Sequence, residues 1–395
     1  MRILLATGIY PPDAGGPATY TRAMARALAS SGQHQVQVVA YGEADSMDEQ
    51  DGYPVERIGR GRDVLTRYWN YFVAVVRRAQ SSDVVYLQGP VSEGLPGTLA
   101  ALLVAKPTVM KIVGDYAWEM FMQSASVMAD EKETPAVGAH RMRPDGHAEL
   151  LDEFLTRHHK GKIWWLKKIE RLTAKRAKQI IVPSQYLKDV VVKWGVSPDR
   201  ITVVYNGMEP LHEGRNRDQA RVAFGVSDKR VLLTVVRAVP WKGGDFIIRL
   251  LADLPADTLF VIAGDGPSLP FWKSEAERLN VADRVRFVGR LQRADLAEWY
   301  RAADLFVLAT GYEGFSHVAV EAAMAGLSMY MSDKGGNVET HAMFPHLVKL
   351  LPYQDRDAWL NALKGTWMPR QTPAVPPFDH PQMVAATMDI LKKVL

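Results

Sequence analysis

Residues 305–326 read LFVLATGYEGFSHVAVEAAMAG, and this stretch contains the unit from which the chain is built. The apolar run 305–309 has the length and composition of a buried strand. The loop that follows carries Glu313, and a helical pattern then places Glu321 about one and a half turns into a helix. A strand, a loop and a helix in this order predict one βα unit.

The same alternation of a short apolar run and a longer helical stretch recurs along the chain. Continuous apolar strands that alternate with helices predict parallel sheets covered on both faces. We therefore predict an α/β fold with two doubly wound Rossmann-like domains that face each other across a cleft. The predicted strands are 3–9, 36–40, 84–87, 109–113, 180–182 and 201–205 in the first series, and 231–236, 259–263, 285–288, 305–309, 328–331 and 347–351 in the second.

The polar stretch 209–220 separates the two series and is typical of a linker. We predict an N-terminal domain over 1–207, a C-terminal domain over 208–380, and a last helix over 381–395 that packs back on the N-terminal domain. Residues 120–150 are polar, contain two prolines and show little periodicity, which predicts a loop or lid.

Composition excludes several classes of protein. The 395 residues include no cysteine, so disulfides, thiolate metal sites and a cysteine nucleophile are excluded. The longest apolar run, 99–105, is far shorter than the ~20 residues of a membrane span. The start of the chain resembles a buried strand rather than a signal peptide, and we expect a cytoplasmic protein.

The net charge of +4 is placed unevenly. Residues 157–178 contain nine Lys or Arg and one Glu, a net +8, so the rest of the chain sums to −4. A chain that is basic in only one segment is not expected to bind nucleic acid.

Gly15 and Gly16 lie between the first predicted strand and the helix that follows it. Glycines allow the backbone to approach a ligand closely, and a helix N-terminus favours an anion. A plain βα turn explains the pair equally well.

Arg237 and Lys242 follow the first strand of the second series, five residues apart. Two cations at the carboxyl end of a strand can bind a phosphate from two sides, although surface cations exposed to solvent are the commoner case. Gly264 and Gly266 begin a pattern that resembles a dinucleotide fingerprint, but Leu269 occupies the third glycine position. A nicotinamide cofactor is therefore not predicted.

Glu313 and Glu321 lie in a loop and in the helix after it, beside the backbone N–H groups of Gly314 and Phe315. Carboxylates accept hydrogen bonds from sugar hydroxyls, and N–H groups at a helix start bind anions. The arrangement suits a ligand that is part phosphate and part polyol. The alternative is that the carboxylates only complement the helix dipole.

These residues carry a resemblance to a known family. Glu313 and Glu321 resemble the E-x7-E pair of the retaining GT-B glycosyltransferases of glycosyltransferase family 4. Further pieces that agree in order are Gly15-Gly16, 182–184, 205–207, Arg237 to Lys242, 264–266 and 335–339. The resemblance covers the chain and is more specific in the second domain.

The resemblance implies transfer of a sugar from a nucleotide-sugar donor with retention at the anomeric carbon, without a cofactor or an essential metal. It implies that Arg237 and Lys242 neutralise the donor diphosphate and that Glu313 orients the donor sugar. By the same resemblance Gly314 and Phe315 assist Glu313, and Glu321 binds the ribose. It also implies that Gly15, Gly16 and Gly266 line the donor site and that the acceptor binds the first domain.

The family often has a histidine after the fourth strand of the first domain, and this sequence has none there. Asp115 occupies the neighbouring position, so we predict a catalytic role for it, in binding a sugar hydroxyl or the acceptor. The alternative is a helix N-cap.

The basic segment 157–178 places Trp165, Leu166, Ile169 and Leu172 on one helical face. Such a helix can lie on an anionic membrane surface, as in family members that glycosylate lipids. It can equally pack on the sheet with its basic residues solvated.

The leading hypothesis is a metal-independent retaining hexosyltransferase that acts on a glycan or lipid-linked acceptor in polysaccharide or glycolipid biosynthesis. It would be cytoplasmic and peripheral at the inner face of the membrane. The alternatives are a nucleotide-sugar epimerase of the same architecture and a non-catalytic protein that binds nucleotide sugars.

Overall fold

The structure, a computed structural model, describes residues 1–13, 15–50, 52–127, 150–376 and 378–395. The chain divides into two compact units. Unit 1 comprises Met1–Glu119, Arg157–Gly207 and Phe378–Leu395, and unit 2 comprises Met120–Thr156 and Met208–Pro377. Both units are built from βα repeats around a mainly parallel sheet, as the fold class predicted.

Unit 1 contains an eight-stranded sheet in which every pairing is parallel except that of β3 with β4. The strands are β1 (Arg2–Thr7), β2 (Gln35–Gly42), β3 (Ser46–Gln50), β4 (Tyr53–Gly59), β5 (Val84–Leu87), β6 (Thr108–Lys111), β7 (Gln179–Val182) and β8 (Ile201–Val203). Their spatial order is β3-β4-β2-β1-β5-β6-β7-β8.

Helices connect these strands. They are α1 (Gly16–Ser30), α2 (Val64–Gln80), α3 (Gly94–Leu103), α4 (Tyr116–Val127), α5 (Leu151–Thr156), α6 (Gly161–Arg176) and α7 (Gln185–Lys193). Helix α4 begins in unit 1, and α5 belongs to unit 2. The central strands are apolar and buried because helices cover both faces of the sheet; β1, for example, is buried from Ile3 to Thr7.

Unit 2 contains a six-stranded, fully parallel sheet. Its strands are β9 (Arg230–Val235), β10 (Thr258–Ala263), β11 (Val285–Gly289), β12 (Leu305–Leu308), β13 (Met329–Ser332) and β14 (Val348–Leu351), in the order β11-β10-β9-β12-β13-β14. Its further helices are α8 (Arg217–Phe224), α9 (Gly244–Leu251), α10 (Leu269–Arg278), α11 (Arg293–Ala302), α12 (His317–Met324), α13 (Asn337–Met343) and α14 (Arg356–Lys364). The order reverses beside β9, so β9 and β12 flank the point where ligands bind in open parallel sheets.

The last helix, α15 (His380–Lys393), belongs to unit 1. A capping box formed by Asp379 and Gln382 starts it. Met383 and Leu391 share a core with Ile3 and Leu5 of β1, which ties the end of the chain to its first strand.

Three features differ from the sequence prediction. Strand β3 was missed because it is a polar edge strand that pairs antiparallel with β4, and β4, which pairs in parallel with β2, was missed because Pro54, Glu56 and Arg57 interrupt its apolar run. The predicted linker over 209–220 ends early, because the Asn216 side chain caps α8. The predicted lid over 120–150 is helical up to Val127 and from Leu151, and its central part, 128–149, lies outside the described residues.

Candidate active site

Lys242 and Glu313 form an ion pair at the carboxyl edge of the unit 2 sheet. The Lys242 ammonium donates to Glu313 Oε2 at 2.5 Å, and the two side chains are 15% and 16% exposed. Lys242 lies beyond the end of β9, and Glu313 lies beyond the end of the neighbouring strand β12. The fold therefore brings together two residues that are 71 positions apart in the sequence.

The position of Lys242 depends on the glycine that follows it. Residues Pro240–Lys242 form a single 3-10 turn, and Gly243 then adopts φ +67° before α9 begins. A Cβ atom at Gly243 would lie 2.2 Å from the carbonyl oxygen of Ala309. Only glycine allows the Lys242 turn to approach the end of β12 this closely.

A buried hydroxyl network connects the two loops that carry the ion pair. The Thr310 hydroxyl donates to the carbonyl oxygens of Trp241 and Tyr312, at 3.0 and 2.7 Å. The Gly311 N–H also donates to the Trp241 carbonyl, at 2.7 Å. Because these groups are buried, the bonds hold the residue before Lys242 against the start of the Glu313 loop.

The network extends to the next strand and helix. The Ser332 hydroxyl donates to the Thr310 carbonyl at 2.5 Å, and the Asn337 amide donates to Ser332 O and Oγ at 3.1 and 2.9 Å. All three residues are fully buried. Sequence reasoning missed Thr310, Ser332 and Asn337 because a lone Thr, Ser or Asn near a strand end has no distinguishing pattern.

A glycine pair supports the Glu313 backbone directly. The Gly336 N–H donates to the Glu313 carbonyl at 2.7 Å. A Cβ atom at Gly335 would lie 2.6 Å from the same oxygen. The segment 335–339, which contributed to the family resemblance, therefore packs on the loop that carries Glu313.

Glu321 lies on α12 and has a hydroxyl partner. Tyr300 belongs to helix α11, and its hydroxyl donates to Glu321 Oε2 at 2.9 Å. Burial raises the pKa of Glu321, and the hydrogen bond from Tyr300 opposes that rise. Tyr300 is fully buried, so its hydroxyl fixes the orientation of the Glu321 carboxylate. The sequence analysis did not identify Tyr300.

The other predicted unit 2 residues lie around this edge. Arg237 is exposed just beyond β9. Gly266 follows β10, and a Cβ atom there would lie 2.3 Å from the Ala238 carbonyl. Gly314 and Phe315 are buried between Glu313 and Ser316, and the Ser316 hydroxyl caps α12 by accepting from the Ala319 N–H.

In unit 1, Gly15 and Gly16 lie at the start of α1. Gly15 occupies the N-cap position and Gly16 is the first helical residue. A Cβ atom at Gly16 would meet no atom within 4 Å, so the space beside this residue is open.

Asp115 acts as the cap of α4. Its Oδ1 accepts from the Trp118 N–H at 2.8 Å, and its side chain is almost fully buried. Burial raises the pKa of Asp115 to about 6, and the Trp118 N–H, the Lys167 charge and the Trp194 side chain lower it. The structure thus gives Asp115 the N-cap role that was the alternative, and the catalytic role stays a prediction.

Beside Asp115, the carboxylate of Glu170 accepts from the Tyr116 N–H at 2.7 Å, so it also holds the start of α4. Burial raises the pKa of Glu170 well above its usual range, and the negative charge of Asp115 adds to the shift. Two buried carboxylates therefore meet at this helix start.

Helix α6 covers most of the basic segment 157–178. Its buried stripe consists of Lys167, Glu170, Thr173 and Ala174. Trp165 is 62% exposed and Leu172 is 52% exposed. Of the apolar face predicted from the sequence, Trp165 and Leu172 thus lie outward and Leu166 and Ile169 are partly buried, while a largely polar stripe packs inward.

Over the described ranges, no helix combines the length and the apolar character that crossing a membrane requires.

Two family models match the chain. The model described as Glycosyltransferase Family 4 matches residues 14–210, and the one described as Glycosyl transferases group 1 matches residues 216–349. The chain belongs to the group 1, family 4 glycosyltransferases. The two matches meet close to the boundary between residues 207 and 208.

Curated relatives match part of the chain. An uncharacterized glycosyltransferase of Methanocaldococcus jannaschii is 31% identical over 180 residues, which cover 43% of this chain and 46% of that protein. A D-inositol 3-phosphate glycosyltransferase of Mycobacterium ulcerans is 32% identical over 180 residues, covering 42% of this chain and 37% of that protein. The chain thus spans less than half the length of these relatives.

Solved structures match over the whole length. Anabaena HepE, solved in complex with UDP, superposes with a TM-score of 0.74 at 20% identity and covers 100% of both chains. Sucrose-phosphate synthase from Thermosynechococcus elongatus gives 0.68 at 19% identity, covering 92% of this chain and 88% of that one. At this identity the similarity establishes the GT-B fold of this family member.

Proposed function

We propose that this protein is a retaining glycosyltransferase that moves a hexose-type sugar from a nucleotide-sugar donor to a glycan or lipid-linked acceptor. The observation that carries the proposal is the Lys242–Glu313 ion pair at the carboxyl edge of the unit 2 sheet. A cation and a carboxylate 2.5 Å apart match a ligand that combines a phosphate with sugar hydroxyls.

In the proposed reaction, the bond between the anomeric carbon and the β-phosphate oxygen breaks, and a bond from the same carbon to an acceptor hydroxyl oxygen forms on the same face. Negative charge develops on the departing diphosphate, which takes up the acceptor's proton. Lys242 and Arg237 would stabilise that charge, which is the form of catalysis that contributes most in many enzymes. Because these two protein cations would neutralise the diphosphate, we propose that no metal or other cofactor is essential.

The remaining donor contacts follow from the positions around the edge. Glu313 would accept hydrogen bonds from the sugar, with the N–H groups of Gly314 and Phe315 directed at the phosphate. Glu321, oriented by Tyr300, would accept from the ribose hydroxyls. Gly15, Gly16 and Gly266 would allow backbone to approach the donor.

Family membership supports the reaction class, and the UDP complex of Anabaena HepE makes UDP the first nucleotide to test. We further propose that the acceptor belongs to polysaccharide or glycolipid biosynthesis.

A membrane surface is the proposed location of the acceptor. Exposed Trp165 and Leu172 on α6 are surrounded by a segment of net charge +8, a combination that binds anionic lipid surfaces. Helix α3 packs against α6 and adds exposed Leu102 and Leu103. We propose peripheral association with the cytoplasmic face of a membrane through these helices.

The test of the donor is a thermal-shift panel of UDP, GDP, ADP and their sugar derivatives, with and without EDTA. A ligand at ~100 times its Kd stabilises by about 2.7 kcal/mol. Stabilisation by one nucleotide family that EDTA leaves unchanged is the expected result. The absence of any shift would contradict the proposal.

Turnover separates the transferase from its alternatives. A transferase consumes donor slowly alone and faster with an acceptor, and NMR of the product gives a retained anomeric configuration. An epimerase would convert the donor alone into a second nucleotide sugar. A non-catalytic binding protein would leave the donor intact.

The membrane proposal is tested by co-sedimentation with vesicles of phosphatidylcholine and phosphatidylglycerol. Replacing Lys162, Lys168 and Lys175 by Gln should release most of the bound protein, and added salt should release the wild type. The matched control replaces the exposed Lys273, Lys364 and Lys392 by Gln, with the same change of charge. Equal binding of the two variants would contradict a role for α6.

A further inference from the structure

The carboxyl edge of the unit 1 sheet gathers a glutamate, an arginine and several tyrosines. Strands β2, β1, β5 and β6 are neighbours in that order. Tyr41 lies at the end of β2, Glu93 follows β5, and Tyr116 follows β6. Arg67 and Tyr68 come from the first turns of α2. We call these five residues the Glu93 cluster, and they lie where open parallel sheets bind ligands.

Glu93 is buried beside two glycines. Its side chain is 6% exposed. A Cβ atom at Gly8 would lie 2.9 Å from Glu93 Oε2, and one at Gly89 would lie 2.3 Å from Glu93 Oε1. The space that these glycines leave is therefore filled by the carboxylate.

The carboxylate is held by an uncharged donor, since the Ser92 hydroxyl donates to it. Burial raises the pKa of Glu93, and within the described part of the chain no Lys or Arg forms an ion pair with it. A buried carboxylate without a counterion costs stability, and a glutamine could accept the same hydrogen bond from Ser92 without that cost. The charge therefore points to a ligand rather than to stability.

Tyrosines surround the glutamate. The Tyr41 hydroxyl donates to the Ser92 carbonyl at 2.8 Å, which connects β2 to the Glu93 segment. The Arg67 guanidinium lies 5.7 Å from the Tyr41 ring centre and 6.0 Å from that of Tyr68. Arg67, Tyr68 and Tyr116 are only partly buried, so they form an accessible rim above the buried Glu93 and Tyr41.

The charge of Glu93 acts on the two tyrosines of the rim. Burial raises the pKa of both Tyr68 and Tyr116, and the charge of Glu93 adds to each shift while that of Arg67 opposes it. The cluster thus offers one carboxylate acceptor, one guanidinium, two phenol hydroxyls and aromatic faces. Because the carboxylate and the guanidinium leave the cluster with no net charge, the set suits the hydroxyls and ring of a neutral sugar better than a phosphate.

We propose that the Glu93 cluster is a binding subsite for a neutral hexose ring of the acceptor, in which Glu93 accepts hydrogen bonds from sugar hydroxyls. That this sugar is the acceptor rests on the proposed transferase function. The subsite itself rests only on the geometry of unit 1.

The test measures binding of the methyl glycosides of glucose, galactose and mannose to the full chain by saturation-transfer NMR and titration. We expect at least one to bind the wild type. Glu93→Gln should weaken that binding at least about tenfold, because a hydrogen bond to a charged group is worth about 1.5–3 kcal/mol. Tyr116→Phe should weaken it about threefold, and the exposed control Glu277→Gln should leave it unchanged.

The affinity for UDP is measured on the same samples and should be equal in all variants. If none of the glycosides binds the wild type, or if Glu93→Gln and Tyr116→Phe bind like the wild type, the subsite is overturned. Should Glu93→Gln fail to fold, Tyr116→Phe and Tyr68→Phe decide the question. UDP binding without glycoside binding overturns only the subsite, whereas glycoside binding without binding of any nucleotide of the thermal-shift panel overturns only the transferase.

Discussion

The carboxyl edges of the two sheets differ in how their charged side chains are stabilised. In unit 2, Lys242 and Glu313 neutralise each other at 2.5 Å, and glycines and buried hydroxyls fix their loops. In unit 1, Glu93 and Glu170 are buried and held by backbone N–H groups and a serine hydroxyl, and burial raises the pKa of each.

The difference indicates which kind of ligand each edge can take. A cation and a carboxylate in one place suit a ligand with both phosphate and hydroxyl groups. A buried carboxylate among tyrosines suits a ligand that donates hydrogen bonds and carries no negative charge. One βα architecture thus supports two chemistries, because the residues after each strand vary while the strands keep their place.

The largest expected effect removes the ion pair. Lys242→Ala should lower kcat at least about 100-fold, because it removes a cation that would stabilise developing phosphate charge. Glu313→Gln should lower kcat as strongly. Kinetics with the donor found in the thermal-shift panel measures both.

As a control, Lys273→Ala removes an exposed lysine of the same unit. Circular dichroism checks that each variant is folded. Near wild-type turnover in a folded Lys242→Ala or Glu313→Gln protein would show that unit 2 does not hold charge for catalysis.

The second effect concerns the buried carboxylates of unit 1. Because its pKa in the folded protein is raised, Glu170 contributes stability that is fully present below its unfolded pKa and is lost as the pH rises through its folded pKa. Glu170→Gln keeps an acceptor for the Tyr116 N–H but carries no charge. The Tm of the variant relative to the wild type should therefore rise as the pH increases above about 4.

The quantity that tests this expectation is the difference in Tm between Glu170→Gln and the wild type as a function of pH. Thermal unfolding across the pH range measures it, and the exposed Glu277→Gln should show a difference that is independent of pH. If the difference in Tm between Glu170→Gln and the wild type does not change with pH, the pKa of Glu170 is not raised by burial. The proposed contrast between the two sheet edges would then be wrong for this residue.

A smaller effect is expected at Glu321. Tyr300→Phe deletes the hydroxyl that donates to its carboxylate at 2.9 Å. We expect the donor KM to rise about tenfold with kcat nearly unchanged, since a hydrogen bond to a charged group contributes about 1.5 kcal/mol or more. Tyr330→Phe in β13 serves as the control. A fall in kcat alone would place Tyr300 outside donor binding.

The smallest effect tests the hydroxyl network. Thr310→Val preserves shape but removes the bonds to the carbonyls of Trp241 and Tyr312. Stability should fall by about 1–2 kcal/mol, and kcat should fall because the loops of Lys242 and Glu313 lose a connection. Thr258→Val, at the start of β10, is the matched buried control. Equal kinetics of the two variants would mean that the network serves stability only.

Much of the fold could be predicted from the sequence because parallel strands buried on both faces are continuous apolar runs. The runs at 231–236 and 259–263 match β9 and β10 to within a residue at their ends. The edge strand β3 and its neighbour β4 could not be predicted in this way, because charged residues interrupt both runs.

Some residues of the candidate site could likewise be predicted from the sequence, and others could not. Glu313, Glu321, Arg237 and Lys242 could be predicted as site residues because they lie in motifs with fixed spacing. Thr310, Ser332 and Asn337 were missed because each acts through a partner that is distant in sequence. Tyr300 was missed for the same reason, since only the packing of α11 beside α12 brings its hydroxyl to Glu321.

The sequence by itself determined the repeated βα order, the family and the charged residues of the second sheet, because local periodicity and motif spacing are properties of contiguous residues. Only the tertiary structure decided that Lys242 contacts Glu313, that Asp115 caps a helix, and that Glu93 lies buried among tyrosines. Those facts depend on which strand ends become neighbours and which charges lose contact with water, and neither is encoded in any short stretch of the chain.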